Sequence, residues 1–256
     1  MKQFLFILSL LLLTFPPSIR ADEPGKAILR AGAATSVITP ELGLPIVGGF
    51  TPFPAEHIHD ELHARCLVLD DGKSKVALVV CDLLGIHRSV ILEAKRLIEA
   101  ELSIPPDHVM VSATHTHSAT TALGPVNPRV YSSDVDLSDD ERFVARRIAD
   151  GVRRSVNLLR PAEIAFGTVD VPDHVFNRRW FLKEGTMPVN PFGSTAEKVK
   201  MNPGAGADNL VEPAGPIDPT VSFIALREPG GAMISLLSAY SLHYVGIPDD
   251  FTSFSA

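Results

Sequence analysis

The sequence predicts an α/β fold: a mixed sheet with at least one βαβ unit and helices packed on it. Three observations carry that reading. They are a hairpin signature between two β-rich runs, a strand–helix–strand succession within about forty residues, and a long amphipathic helix further along.

The hairpin comes from Ala64–Asp70 and Val76–Cys81, joined across Asp71-Gly72. Its second run is apolar without a break from Val76 to Val80, as expected of a strand covered on both faces. From Arg88 to Leu102 the period lengthens, and Val90, Ile91, Ala94, Leu97, Ile98 and Leu102 line one helical face. Pro105-Pro106 stops that helix, and His108–Ala113 reads as the next strand. A strand, a helix and a strand in this order make a parallel pair with a right-handed crossover.

The remaining elements are read in the same way. Ala33–Val37 is a first strand, ended by Thr39-Pro40, and Leu42–His63 is a Pro- and Gly-rich loop. Ser138 with Glu141 forms a capping box for a helix over Asp139–Leu159, whose Val144, Ile148, Val152 and Val156 keep the helical period. Ala162–Val171 follows as a strand. After it come about forty residues rich in Pro, Gly and Asn, expected to lack regular structure. Val221–Arg227 and Ala232–Ala239 form a last hairpin around Pro229-Gly230-Gly231.

The N-terminus reads as a secretory leader over residues 1–21. Lys2 gives a positive start, Phe4 to Phe15 is almost wholly apolar, and Ala21 is a small residue for cleavage. At about a dozen residues the apolar run is too short for a stable membrane span. The chain is therefore expected to be exported, with residues 22–30 a flexible lead-in. The net charge is −7, and the leader carries Lys2 and Arg20 without an acid. An acidic mature chain lacks the basic surface that a nucleic acid or anionic lipid partner requires.

Two cysteines fall in the predicted hairpin. With Asp71 opposite Val76, Cys66 faces Cys81 and a cross-strand disulfide is conceivable. The favoured alternative makes both small buried apolar residues. Their spacing does not match a cysteine-type zinc site.

The strongest chemical signal is Thr114-His115-Thr116-His117-Ser118, at the C-terminal end of the second parallel strand. Ligands bind at that end of open parallel sheets. In extended backbone His115 and His117 share a face and can approach one ion or substrate. The alternative is a pair of surface or structural histidines. Asp82 ends the neighbouring strand, where it either orients a histidine or caps the following turn. His243 lies beyond the last hairpin strand and either converges on the pair or is a buried, hydrogen-bonded histidine. Arg178 lies at the start of the long loop, as an oxyanion-stabilising group or a solvated charge. His57, His59 and His63, beside Asp60 and Glu61, form another cluster with no assigned role. There is no phosphate-binding glycine loop, serine-nucleophile elbow or His-Glu-X-X-His motif.

In order and spacing, these pieces resemble the N-terminal part of the neutral, non-lysosomal ceramidase family. The matching segments are Ala31–Pro40, the hairpin Leu62–Arg65 through Val80–Leu83, Thr114–Ser118, Asn177-Arg178 and Ser241-Leu242-His243. The sequence departs from the family pattern at Ala119-Thr120 and at Tyr244-Val245. The resemblance implies that residues 31–256 are the N-terminal part of a catalytic domain, incomplete at its C-terminus and by itself inactive or weakly active. It implies a Zn2+-dependent hydrolase that cleaves the N-acyl amide bond of ceramide or a related lipid-like N-acyl amide. His115 and His243 are then metal ligands, with His117 and Arg178 facing the substrate, and the further ligands, a Glu and a Tyr, downstream. The alternatives are another zinc amide or ester hydrolase on this scaffold, and a non-catalytic exported binding protein. The last of these expects His115 and His243 more than ~10 Å apart, beyond the reach of one ion.

Overall fold

The computed structural model describes residues 28–48, 51–122, 136–204, 206–243 and 252–256. The predicted leader and most of the lead-in lie outside the described residues. No helix among those described is long and apolar enough to cross a membrane.

The architecture starts from alternation in the first strands. β1 (Arg30–Val37) is followed by three two-residue strands in the Pro-rich loop: β2 (Pro45–Ile46), β3 (Phe53–Pro54) and β4 (His57–Ile58). Next come β5 (His63–Asp70), β6 (Lys75–Cys81), the helix α1 (Arg88–Leu102) and β7 (Val109–Ala113). Then α2 (Asp139–Asn157) leads into β8 (Arg160–Pro161). Five of these strands form a sheet in the order β7-β6-β5-β1-β8. β6 and β7 pair in parallel and the other pairs run antiparallel, so the sheet is mixed, as expected.

Each face of this sheet is covered. Ala64, Cys66 and Val68 of β5 and Ala77, Val79 and Cys81 of β6 bury against Val90, Ala94 and Ile98 of α1 and Val144, Ile148 and Val152 of α2. The intervening Leu67, Leu69 and Leu78 face the other way. There they meet a second sheet, β14-β13-β9, made of β9 (Glu163–Asp170), β13 (Thr220–Arg227) and β14 (Met233–Ala239). Leu226 of β13 is fully buried between the two sheets, with Ala31 and Leu67. Helices, mixed sheet and antiparallel sheet thus make three layers, and coverage on both sides explains the unbroken apolar run of β6.

The helix ends follow their local chemistry. Ser138 caps α2 by accepting from the Glu141 backbone N–H, while the Glu141 carboxylate accepts from the Ser138 N–H. His87 caps α1 through Nδ1, which accepts from the Ser89 N–H, and Ser103 ends the helix in a left-handed conformation. Glu101 of α1 pairs with both Arg146 and Arg153 of α2, which ties the two helices across their exposed edge.

Two expectations are corrected. The hairpin register places Asp70 opposite Lys75, so Cys66 faces Val79 and Cys81 faces Ala64. Asp70 and Asp71 close the turn with their side chains, accepting from the N–H groups of Gly72, Lys73 and Ser74, and this moves the four-residue loop one position toward the N-terminus. The two cysteines are free and buried. Burial pushes the Cys66 thiol up to about 12 and the Cys81 thiol higher still. The stretch after β9 is also not structureless. It folds into a small antiparallel sheet, β11-β10-β12, from β10 (Arg179–Leu182), β11 (Val199–Met201) and β12 (Leu210–Pro213). Its three strands are short and separated by connections rich in Pro and Gly, which hid them from a periodicity argument.

Close approach of α2 to β1 requires a glycine. A Cβ at Gly32 would lie 2.0 Å from the Ser155 carbonyl oxygen and 2.9 Å from the Leu158 backbone. Gly32→Ala is expected to destabilise the chain by roughly 1–3 kcal/mol, the range for overpacking a tight interface. Urea denaturation against the wild-type chain checks this; an unchanged midpoint would show that the helix moves away at no cost.

Candidate metal-binding site

The site grows out of the parallel pair. Cys81 of β6 and Ala113 of β7 lie opposite each other, so the two strands end level. Beyond β7 the chain is held by the segment leaving β6. The Thr114 N–H donates to the Cys81 carbonyl at 2.9 Å, and the His115 N–H donates to the Leu83 carbonyl at 3.0 Å. His115 has φ +65°, a left-handed backbone that is costly for a residue with a Cβ. The motif is therefore turned rather than extended, and the i, i+2 argument for a shared face does not apply. The two imidazoles still meet, edge to face, with ring centroids 5.0 Å apart.

Hydrogen bonds settle which ring nitrogens are available. His115 Nδ1 lies 2.7 Å from the Leu84 carbonyl, an acceptor only, so Nδ1 carries the proton and Nε2 has a free lone pair. This is the arrangement of a metal-ligating histidine. His117 has a backbone hydrogen bond with Gly48. Because its Nε2 faces His243, that bond falls to Nδ1. Gly48 is itself fitted to the ring: a Cβ there would lie 2.7 Å from His117 Cβ and Cγ, and its φ is +143°.

His243, just beyond β14, converges on the pair. Its ring centroid is 5.3 Å from that of His115 and 4.8 Å from that of His117. The separation of more than ~10 Å expected for unrelated structural histidines is not found. His243 Nε2 is 3.0 Å from His117 Nε2, and Arg178 donates to His243 Nδ1 at 3.1 Å. A guanidinium only donates, so Nδ1 of His243 holds the lone pair and Nε2 the proton. A hydrogen-bonded chain therefore runs from Arg178 through His243 to His117. Arg178 is fixed in turn by Asn202, whose Oδ1 accepts from Nε at 3.0 Å.

Electrostatics favour the neutral form of His117 and His243. His117 is held below the ordinary histidine range, first by burial and then by the charges of His243, His115 and Arg178. His243 is lowered by burial and then by Arg178 and His115. Neutral imidazole is the form that binds metal. One nitrogen from each ring lies within 4.8 Å of the other two. Bonds of ~2.0–2.1 Å to one ion need only a modest closure of the exposed His243 ring. The donor set and its tautomers thus fit a metal ion, provided that Arg178 releases His243 Nδ1.

The other candidates fall outside the cluster. Asp82 is buried and accepts from the His63 N–H at 2.9 Å and from Arg65, so it braces β5 and touches no site histidine. The carbonyls of Leu83 and Leu84 do the orienting work considered for Asp82. Residue types alone gave no signal for them, because backbone atoms perform the role. Beside the histidines lies a cleft of about 380 Å³, bordered by Val175, Phe176, Arg178, Met201, Ile217 and Ser241.

No family model matches the chain. Among solved structures, neutral ceramidase from Pseudomonas aeruginosa matches with a TM-score of 0.56 and 18% identity, over 86% of this chain and 34% of that one. A ceramidase complexed with C2 matches with a TM-score of 0.55 and 18% identity, over 86% of this chain and 33% of that one. The chain spans about a third of the length of these proteins. Its three-layer α/β architecture is thus similar to the fold of about a third of the neutral ceramidase chain.

Proposed function

We propose that this chain is the N-terminal part, residues 31–256, of an exported zinc-dependent hydrolase that cleaves the N-acyl amide bond of ceramide or a related N-acyl lipid. The observation that carries the proposal is the convergence of His115, His117 and His243, with Arg178 against them, on a fold shared with ceramidases.

His115 and His243 are assigned as zinc ligands, and His117 and Arg178 as the groups that face the substrate. Zinc bound there would supply Lewis acidity toward an amide carbonyl and lower the pKa of a water molecule. The chain's own residues do the rest. The Leu84 carbonyl fixes the His115 tautomer, and Gly48 seats the His117 ring. Arg178 brings a fixed positive charge to the place where an amide oxygen would become negative. The adjoining cleft has apolar walls in Val175, Phe176, Met201 and Ile217, which suit a lipid-like substrate, and a polar side at Arg178 and Ser241. A second reading takes His117 as a third ligand, favoured by its 3.0 Å approach to His243.

Zinc content of the whole protein, which carries the downstream residues as well, tests the assignment after dialysis. One zinc per chain is expected, with affinity lowered more than about tenfold in His115→Ala and His243→Ala, since each removes a direct ligand. Under the main assignment His117→Ala keeps the zinc; loss of zinc in that variant establishes the second reading. A whole protein that takes up no zinc, or an unaltered affinity in its His115→Ala variant, would sink the metal-hydrolase proposal.

Arg178 gives a second, opposite expectation. Its hydrogen bond occupies the nitrogen of His243 that must carry the proton when Nε2 binds metal. Its charge also repels a cation nearby. Arg178→Met is expected to tighten zinc binding by roughly threefold to tenfold, while lowering N-acyl amide hydrolysis in the whole protein by about 10²-fold or more. Competition with a chromogenic chelator reads the affinity. A weakened affinity would show that Arg178 supports the metal instead of competing with it.

A further inference from the structure

We infer that Asp60 is a positioning residue for the His115–His117 motif, acting through the strand β15 (Ser253–Phe254) and the two residues that follow it. The inference rests on the metal-binding reading, and it gives a role to a loop that the catalytic assignment leaves unused.

The loop and the strand are built together. β15 runs parallel to β4, with Ser253 beside His57 and Phe254 beside Ile58. The Glu56 N–H donates to the Thr252 carbonyl at 2.8 Å, and the His59 N–H to the Phe254 carbonyl at 2.9 Å. Phe254 is fully buried in the main core, and Ser253 and Ser255 are buried on either side of it. Asp60 then holds the end of the strand with its carboxylate. Oδ2 accepts from Ser255 Oγ at 2.8 Å, and Oδ1 accepts from the Ala256 N–H at 2.9 Å. His59 Nδ1, 2.7 Å from Oδ2, steadies the carboxylate from the solvent side.

Ser255 is the link to the site. Its N–H donates to the Ser118 carbonyl at 2.8 Å. Its carbonyl accepts from the hydroxyl of Thr116, which is wholly buried. Thr116 and Ser118 flank His117 on either side, and Thr116 also follows His115. One residue therefore grips the motif on both sides of His117. The grip opposes a real tendency to relax, because His115 sits in a left-handed backbone that residues with a side chain disfavour. Such a conformation persists where its surroundings over-determine it. The Leu83 and Leu84 carbonyls hold it from the β6 side, and the Asp60–Ser255 bracket holds it from the other.

The role is one of hydrogen bonding rather than charge. Asn at position 60 can still accept from the Ala256 N–H through Oδ1 and can donate to Ser255 Oγ through Nδ2. Ala at position 60 can do neither. Phe254 stays buried in both variants, so the strand is expected to remain docked and the fold intact.

The experiment compares wild type, Asp60→Ala, Asp60→Asn and Ser255→Ala by circular dichroism, chelator competition for zinc, and the visible spectrum of bound Co2+. The imidazole NMR signals of the metal-free chains are recorded in parallel. Asp60→Ala is expected to weaken zinc binding by about tenfold, within the range for groups that orient ligands, and to alter the Co2+ spectrum. It should also move the imidazole signals of His115 and His117. Ser255→Ala should show a smaller loss, and Asp60→Asn should stay within about threefold of wild type. Wild-type zinc affinity and unmoved imidazole signals in a folded Asp60→Ala chain would overturn the inference while leaving the metal site standing. Loss of zinc equally in Asp60→Ala and Asp60→Asn would also overturn it, in favour of a charge effect. The variants are made in the whole protein; if none of them binds zinc, the metal reading fails, and the metal-free imidazole signals still decide whether Asp60 positions the motif.

Discussion

The parallel pairing of β6 with β7 is the constraint on which the rest of the site depends. Side chains alternate along a strand, so a slip of one residue would turn every side chain of β7 to the opposite face. The observed register sets Cys81 against Ala113. That leaves the carbonyls of Cys81, Leu83 and Leu84 facing the chain as it leaves β7. Three successive donors of that segment, two of them backbone N–H groups and one an imidazole, find acceptors in a segment that contributes no functional side chain. The geometry of His115 is thus inherited from a strand pair, and the left-handed turn is what the inheritance requires.

The other half of the cluster arrives from a different layer. Arg178 precedes β10, and His243 follows β14. Their distance from the first two histidines is set by how the second sheet rests on the first. The contact is small and apolar, with Leu226 fully buried among Ala31, Leu67 and partly buried neighbours. Complete burial of one leucine is worth about 1.5–3 kcal/mol, comparable with one hydrogen bond to a charged group. A modest interface therefore controls a distance on which coordination depends. The site lies at a junction between layers, a common place for ligand sites. The lowered pKa values of His117 and His243 there reduce the cost of bringing like charges together beside Arg178.

Much of this was legible in the sequence, for reasons that can be named. Strong periodicity marked α1 and α2, and the capping box at Ser138–Glu141 appears as read. The continuous apolar run of β6 announced cover on both faces, which the two outer layers provide. The histidine motif was found because a strand end in a βαβ unit is a privileged position. What was not legible had short range or no side-chain signature. The β11-β10-β12 sheet has strands of three or four residues, too short to show a period. The hairpin register turned on Asx-type hydrogen bonds at Asp70 and Asp71, which shifted the cysteines out of opposition. The orienting carbonyls and the grip of Ser255 are backbone features that no residue type advertises. His243 could be placed beside the pair only by homology, because its approach depends on how two sheets stack.

The buried thiols on β5 and β6 have a consequence for how the molecule can be observed. The thiolate is the reactive form, and with the Cys66 thiol pushed up to about 12 its fraction at pH 8 is on the order of 10⁻⁴. Cys81 is raised further and is fully enclosed. Both point toward the helical layer, away from the histidines, so an alkylating reagent meets them only when the helices lift from the sheet. Their labelling rate is therefore a clock for opening of the core, built into the native chain.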